Sequence, residues 1–304
     1  MSSENNYIYV TYLSNDRDYK GVLSLNYIFK KYKSNYRLSC IVLEGVSNKI
    51  KELFKKSDII LHEFILKDVL SEFNMNEDYC NYLINKHYYG KFLIFKLLQY
   101  EKIIYIDTDL LIKENIDYLF SYDTENKIYM TYDVGYNFNN NSNNLVFRTQ
   151  LFNSGVIILQ PSIDIYNKCY SCLSEFENNI QEHYTDQTVL NLLNKNNEIN
   201  VVHLNYKYNY VAMLGYSRNI INDEPIVIHF ILYPKPWQIV DFDENLINLK
   251  IYSNTKIYFY EWIDLYFEMV KELLNEITKF DTYLIFDKIY LDDGINYNQI
   301  QKLP

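Results

Sequence analysis

The sequence predicts an α/β protein built on a single, mostly parallel sheet flanked by helices. Three observations predict it. Strand-like apolar runs alternate with helix-length amphipathic stretches through the first two thirds of the chain. The 304 residues are 48% hydrophobic and 22% charged, the make-up of a globular chain that buries a substantial core. No internal repeat and no clear interdomain linker interrupts the alternation.

In chain order, residues 7–13 are rich in β-forming types, and 19–32 place Val22, Leu25, Ile28 and Phe29 at helical spacing. Residues 38–43 predict a strand, 48–56 a helix and 59–66 a strand. Residues 90–100 predict an amphipathic helix through Phe92, Phe95 and Leu98, and 102–106 a buried-type strand. Further on, 152–159 predict a strand, 162–180 a helix opened by Pro161-Ser162, and 186–193 a short helix. Strands follow near 201–204 and 226–230, and 256–277 predict a long amphipathic helix containing Glu261-Trp262-Ile263-Asp264. The Asn-rich tract 137–144 reads as a mobile loop beside the sheet. The simplest division is one domain over 1–267 and a C-terminal helical extension and tail over 268–304. In sheets of this kind ligands collect beyond the carboxyl ends of the strands, so residues just after a strand carry the functional weight.

Composition excludes several function classes. With only 7 Gly and 5 Pro, the chain has no G-x-G-x-x-G and no G-x-x-x-x-G-K-[ST], so dinucleotide fingerprints and P-loops are absent. Phosphate chemistry must then rest on a metal or on cationic side chains. Lys and Arg number 29 against 39 Asp and Glu, a net charge of −10 with no basic stripe, which argues against a nucleic-acid partner. Cys40, Cys80, Cys169 and Cys172 are scattered, and Cys169-x-x-Cys172 lacks a second pair, so buried, inert thiols are the better reading than zinc. No signal peptide is visible, and no apolar run approaches the roughly 20 residues that span a bilayer. The expected location is cytoplasmic. The excess of Asn, Ile, Lys and Tyr is that of an AT-rich coding genome.

Asp107-Thr108-Asp109 follows the apolar run Ile103-Ile104-Tyr105-Ile106 directly. Two carboxylates one residue apart at a strand end can share a divalent cation and leave positions for diphosphate oxygens. Two further D-x-D triplets, Asp16-Arg17-Asp18 and Asp241-Phe242-Asp243, show that an acidic chain makes such patterns by chance, and a solvated turn is the alternative. Phe152-Asn153-Ser154-Gly155 opens a strand: Gly155 permits close backbone approach, and Asn153 offers both donor and acceptor groups. Asp186-Gln187 can meet a hydroxyl-rich substrate, the alternative being that Asp186 caps a helix. His229 ends an apolar strand, where it completes an O,O,N metal site or serves as a satisfied core histidine. Lys235-Pro236-Trp237 sets a cation on a rigid turn suited to phosphate.

The ordered set strand–D-x-D, F-N-S-G, D-Q and H-x5-K-P-W resembles glycosyltransferase family 8 over roughly residues 7–267, most closely the branch that glucosylates its own tyrosine. The resemblance extends to Val10-Thr11, Asn15-Asp16, Lys20-Gly21, the stretch from Lys91 to Tyr100, 115–120, and Gln160-Pro161-Ser162. It implies a GT-A fold with a Rossmann-like sheet, retaining transfer from UDP-glucose, and Mn²⁺ or Mg²⁺. By the same resemblance Asp107, Asp109 and His229 ligate the metal. Tyr12, Ser14, Asn15 and Tyr19 hold the uridine, although Tyr19 is one place off the family's position. Lys91, Thr108, Asp133, Asn153, Ser154, Gly155 and Gln187 complete the donor site. Asp186 stands near the anomeric carbon as nucleophile or stabiliser, and Lys235 neutralises the leaving diphosphate.

Counting from Tyr208-Asn209, Tyr216-Ser217 falls where the self-glucosylating branch carries its acceptor tyrosine, and the resemblance implies a homodimer in which one copy modifies the other. With 33 Tyr in the chain, simple packing of Tyr216 is the competing reading. Leu232 replaces an expected glycine, and the Asn-rich insertion is longer than in that branch. Two alternatives stand beside self-glucosylation: a glucosyl- or galactosyltransferase acting on a separate protein, lipid or polysaccharide, and an inactive sugar-nucleotide-binding protein.

Overall fold

β1 (Tyr7–Asn15), β2 (Leu38–Gly45), β3 (Ile60–Phe64) and β4 (Lys102–Ile106) lie parallel in the order β3-β2-β1-β4. β1, β2 and β4 are apolar on both faces because helices cover both: Tyr9, Val10, Ile41, Val42, Ile103 and Ile104 are all buried. This is a computed structural model; it describes residues 6–136, 145–177, 184–212, 224–231, 234–241 and 256–276. It divides into two compact units, Met1–Ile231 and Leu232–Pro304.

In the first unit α1 (Tyr19–Lys31) links β1 to β2 and buries Val22, Leu25, Ile28 and Phe29, the positions that the sequence spacing selects. α2 (Asn48–Lys56) links β2 to β3, and its N-terminus is capped by Ser47, whose side chain accepts the Ile50 N–H. α3 (Leu66–Ser71) and α4 (Glu77–Lys86) precede β4. Residues 89–96 form a 3-10 run rather than the amphipathic helix expected over 90–100. The reason is burial on all sides: every residue from Tyr89 to Phe95 is buried, so no polar face exists, while Leu98 is exposed. Gly90 lies so close to Tyr12 that a Cβ there would meet its ring at 2.6 Å.

After β4 come β5 (Leu110–Ile112), β6 (Ile128–Tyr136) and β7 (Leu145–Leu159). β7 runs antiparallel to both β4 and β6, and β8 (Val201–His203) pairs parallel with β6, which completes the order β3-β2-β1-β4-β7-β6-β8. α5 (Ile163–Glu175) and α6 (Asp186–Lys195) cover this end. A second, small sheet adds to the main one: β9 (Tyr210–Val211) and β5 flank β10 (Val227–His229). The Asn-rich tract 137–144 lies outside the described residues.

All four cysteines are free and buried. Burial pushes both helix-α5 thiols up, Cys172 to about 12. In the second unit α7 (Pro236–Asp241) precedes α8 (Lys256–Glu276), Trp237 meets Trp262 at 5.9 Å, and Trp262 stacks on Tyr266 at 5.3 Å. Among the described residues no helix is long and apolar enough to cross a membrane.

Candidate metal and sugar-donor site

Strand endings assemble this site. β4 stops at Ile106, and the Asp107 N–H donates to the Gly155 carbonyl at 2.9 Å, one step beyond the Ile106–Val156 pair. Asp109 leads into β5, whose Leu110 pairs with His229 across the small sheet, and the Phe230 N–H donates to the Asp109 carbonyl at 3.0 Å. Backbone pairing alone therefore brings a residue near position 230 beside one near 109. One ligand atom from each of Asp107, Asp109 and His229 lies within 4.8 Å of the others. His229 Nε2 stands 3.2 Å from Asp109 Oδ1 and 3.8 Å from Asp107 Oδ2. Asp109 and His229 are buried, and Asp107 keeps 24% of its side chain open. In the first of the other D-x-D triplets, a 3-10 segment, Asp16 accepts the Ser47 N–H and Asp18 pairs with Arg17. Asp243 lies outside the described residues.

Lys91 joins the Asp-Asp-His cluster to a second carboxylate. Its buried ammonium is 3.0 Å from Asp107 Oδ1 and 2.7 Å from Asp186 Oδ2, and donates to Ser154 Oγ at 3.2 Å. Burial alone would lower the Lys91 pKa; the two carboxylates outweigh it and hold the group above the usual lysine range. Burial raises the Asp107 carboxyl and nearby Asp109 adds to this, with Lys91 and His229 opposing. Tyr105 donates to Asp107 Oδ1 at 2.5 Å, and burial followed by the Asp107 charge holds its phenol well above the ordinary range, so it stays a donor.

The N-cap of α6 is Thr185, which forms a reciprocal capping box with Thr188. Asp186 is thereby released from capping, and the Ser154 hydroxyl donates to its Oδ2 at 2.6 Å. Gln187 Oε1 accepts the Ser154 N–H at 3.3 Å, and its Nε2 donates to Asp133 Oδ2 at 3.2 Å. Asn191, one turn on, accepts the Phe152 N–H at 2.6 Å and donates to the Phe152 carbonyl at 2.8 Å, which locks α6 to β7. Asn153 Oδ1 accepts from the Gly155 N–H and from Asn209 Nδ2, and Asn209 Oδ1 meets His229 Nδ1 at 2.8 Å. A Cβ on Gly155 would lie 2.3 Å from His229 Cε1, so the close approach this glycine permits is to the imidazole.

β1 and β4 are parallel neighbours, so Ser14 and Asn15 lie on the same sheet edge as Asp107. Asn15 Nδ2 donates to Ser14 Oγ at 3.1 Å, and its Oδ1 accepts the Arg17 N–H. Tyr12 donates to the His87 carbonyl at 2.8 Å, Tyr19 is buried at the start of α1, and Thr108 sits half-buried in the turn between the two aspartates. Lys235 belongs to the second unit, where its N–H donates to Gln238 Oε1. Tyr216 and Leu232 lie outside the described residues. Sequence reasoning did not single out Tyr105, Thr185 or Asn191, nor any link from Asn209 to His229. Thr185 alone left a signal, a threonine directly before the helix.

Two carboxylates and one imidazole nitrogen make an O,O,N donor set suited to a divalent cation. The mutual crowding of Asp107 and Asp109 is what such a charge relieves.

The class is visible first in the fold. The chain superimposes on the galactosyltransferase LgtC, solved in complex with donor and acceptor sugar analogs, with a TM-score of 0.58 at 16% identity, covering 85% of this chain and 94% of that one. The bifunctional glycosyltransferase WbbM, in its apo form, superimposes with a TM-score of 0.54 at 14% identity over 86% of this chain and 52% of that one. The fold is thus that of GT-A glycosyltransferases. The sequence model described as Glycosyl transferase family 8 matches residues 10–240, most of the chain, and the chain belongs to that family. It is 27% identical to rabbit (Oryctolagus cuniculus) glycogenin-1 over 242 residues, 75% of this chain, and spans only 65% of that protein's length. Galactinol synthase 3 of Arabidopsis thaliana is 27% identical over 285 residues, covering 85% of this chain and 80% of that protein.

Proposed function

We propose that this chain is a retaining hexosyltransferase that takes glucose from UDP-glucose, with Mn²⁺ held by Asp107, Asp109 and His229. The observation that carries the reading is the Lys91 bridge, which sets Asp186 beside the Asp-Asp-His cluster at the carboxyl edge of the sheet. When bound, the cation supplies charge stabilisation for the departing diphosphate. The chain's own groups do the rest. Ser14, Asn15 and Tyr12 shape the nucleoside end. Gln187, Asp133 and Asn153 offer hydrogen bonds to sugar hydroxyls. Lys91 and Ser154 both engage Asp186 through Oδ2, which fixes the carboxylate that would meet the anomeric carbon. The family resemblance alone assigns Lys235 to the phosphate charge. Rate then comes from holding the acceptor hydroxyl in line and from fixed charges around the leaving group.

The acceptor we propose is Tyr216, reached between the two copies of a homodimer; the match to glycogenin-1 supports it. A separate acceptor is the second reading, supported by galactinol synthase 3, whose match covers more of both chains and whose name describes a synthase of galactinol. Intact mass after incubation with UDP-glucose and Mn²⁺ decides between them. Growth in hexose steps that Tyr216→Phe abolishes supports self-glucosylation. Growth that survives this change moves the acceptor to another residue. Unchanged mass with UDP released means that the hexose passes to water and that the acceptor proper is a separate molecule, and neither growth nor release favours an inactive sugar-nucleotide-binding protein.

A further inference from the structure

A backbone N–H is a donor whichever way its neighbouring amides turn. Gly155 N–H points at the side-chain amide of Asn153 at 2.9 Å, so the atom it meets must be the acceptor, Oδ1. The Asn209 amide approaches that same oxygen at 2.7 Å and must present its NH₂ group there. Its own carbonyl oxygen is then the atom turned to His229 Nδ1, at 2.8 Å. A carbonyl oxygen only accepts, so Nδ1 carries a proton. In the neutral ring this leaves the lone pair on Nε2, the nitrogen that faces Asp109 and Asp107. Asn153, Asn209 and His229 are all buried, so water has little access to substitute for any of these contacts. A Cβ on Gly155 would overlap the Nδ1–Cε1 edge of the ring, so that edge lies close against this strand.

We infer that Asn209 is a positioning residue: oriented by Asn153 and the Gly155 N–H, it fixes the His229 ring with its proton on Nδ1 and its lone pair on Nε2. The inference rests on reading Asp107, Asp109 and His229 as a cation site. It also divides the labour of Asn153. With Oδ1 already shared by two donors, Asn153 meets a sugar through Nδ2, as a donor only. The short strands β9 and β10 are what make this possible, because their parallel pairing of Val211 with His229 carries Asn209 alongside.

The test uses the full chain with Asn209→Leu and Asn209→Asp. The leucine keeps volume and removes both polar atoms; the aspartate keeps an acceptor for Nδ1–H and gives up only the N–H donated to Asn153 Oδ1. Nitrogen chemical shifts of ¹⁵N-histidine-labelled, metal-free protein in alkaline buffer report the neutral tautomer, and calorimetric titration with Mn²⁺ alone reports affinity. Wild type and Asn209→Asp are expected to show Nδ1–H. Asn209→Leu is expected to lose that preference and to bind Mn²⁺ about 10- to 100-fold more weakly. A leucine variant with wild-type tautomer and affinity overturns the inference. So does an aspartate variant without Nδ1–H, which decides the matter if the leucine variant does not fold. Wild type that takes up no Mn²⁺ contradicts the cation site, whereas the tautomer still judges Asn209 by itself.

Discussion

Gly155→Ala adds one methyl group at the tightest point of the site. The added Cβ would lie 2.3 Å from His229 Cε1, 2.5 Å from Nδ1 and 3.0 Å from Asn153 Oδ1. Ordinary carbon contacts begin near 3.5 Å, so ring or strand must shift by roughly 1.2 Å. The ring cannot yield freely: Asn209 holds Nδ1 at 2.8 Å and Nε2 stands 3.2 Å from Asp109. The glycine does not use a left-handed backbone, so alanine pays no conformational penalty and the effect is steric. Overpacking of this kind costs about 1–3 kcal/mol. If the displacement of His229 absorbs it, the same free energy weakens cation binding roughly 5- to 150-fold. Urea denaturation of the metal-free protein and calorimetric Mn²⁺ titration read the two effects separately. A variant with wild-type stability and wild-type Mn²⁺ affinity would mean that His229 is not held against Gly155, because no unstrained place for that methyl exists beside the imidazole.

Lys91→Met should destabilise the fold by about 3–5 kcal/mol, since Asp107 and Asp186 lose the cation between them. The Lys91 pKa is raised, so its contribution is complete below the ordinary lysine range near 10.4 and declines as pH rises through the higher folded value. Urea denaturation should therefore show the full gap at neutral pH and a narrowing only in strongly alkaline buffer; no gap at neutral pH contradicts the bridge. Asn191→Leu orphans the Phe152 N–H and carbonyl and should cost about 1–3 kcal/mol by thermal denaturation. It should also raise the donor KM, since Asn153 and Ser154 adjoin the released backbone.

The part of the site legible in the sequence was the part written in local pattern. Asp107 and Asp109 stood out because they follow an uninterrupted apolar strand, and F-N-S-G because glycine is scarce in this chain. His229 was assigned through the family resemblance, because its nearness to Asp109 comes from strands of two and three residues, too short for any periodicity to register. For the same reason the contact between Asn209 and His229, 20 residues apart, could not be read. Helical spacing within residues 90–100 misled because a segment buried on every side carries no amphipathic signal, even when Phe92 and Phe95 mimic one. The capping question at Asp186 was settled by competition: Thr185 and Thr188 satisfy the helix start and leave the carboxylate to Lys91.

On the proposed function, donor turnover requires the cation held by Asp107, Asp109 and His229. UDP release from UDP-glucose and UDP-galactose, with and without Mn²⁺, in wild type and Asp109→Ala, measures that requirement. Mn²⁺-dependent release is expected from wild type, faster with UDP-glucose, with a loss of at least a hundredfold in the variant, on the order of removing one essential charged group from an active site. Release that proceeds equally without Mn²⁺, or that Asp109→Ala leaves intact, would contradict it.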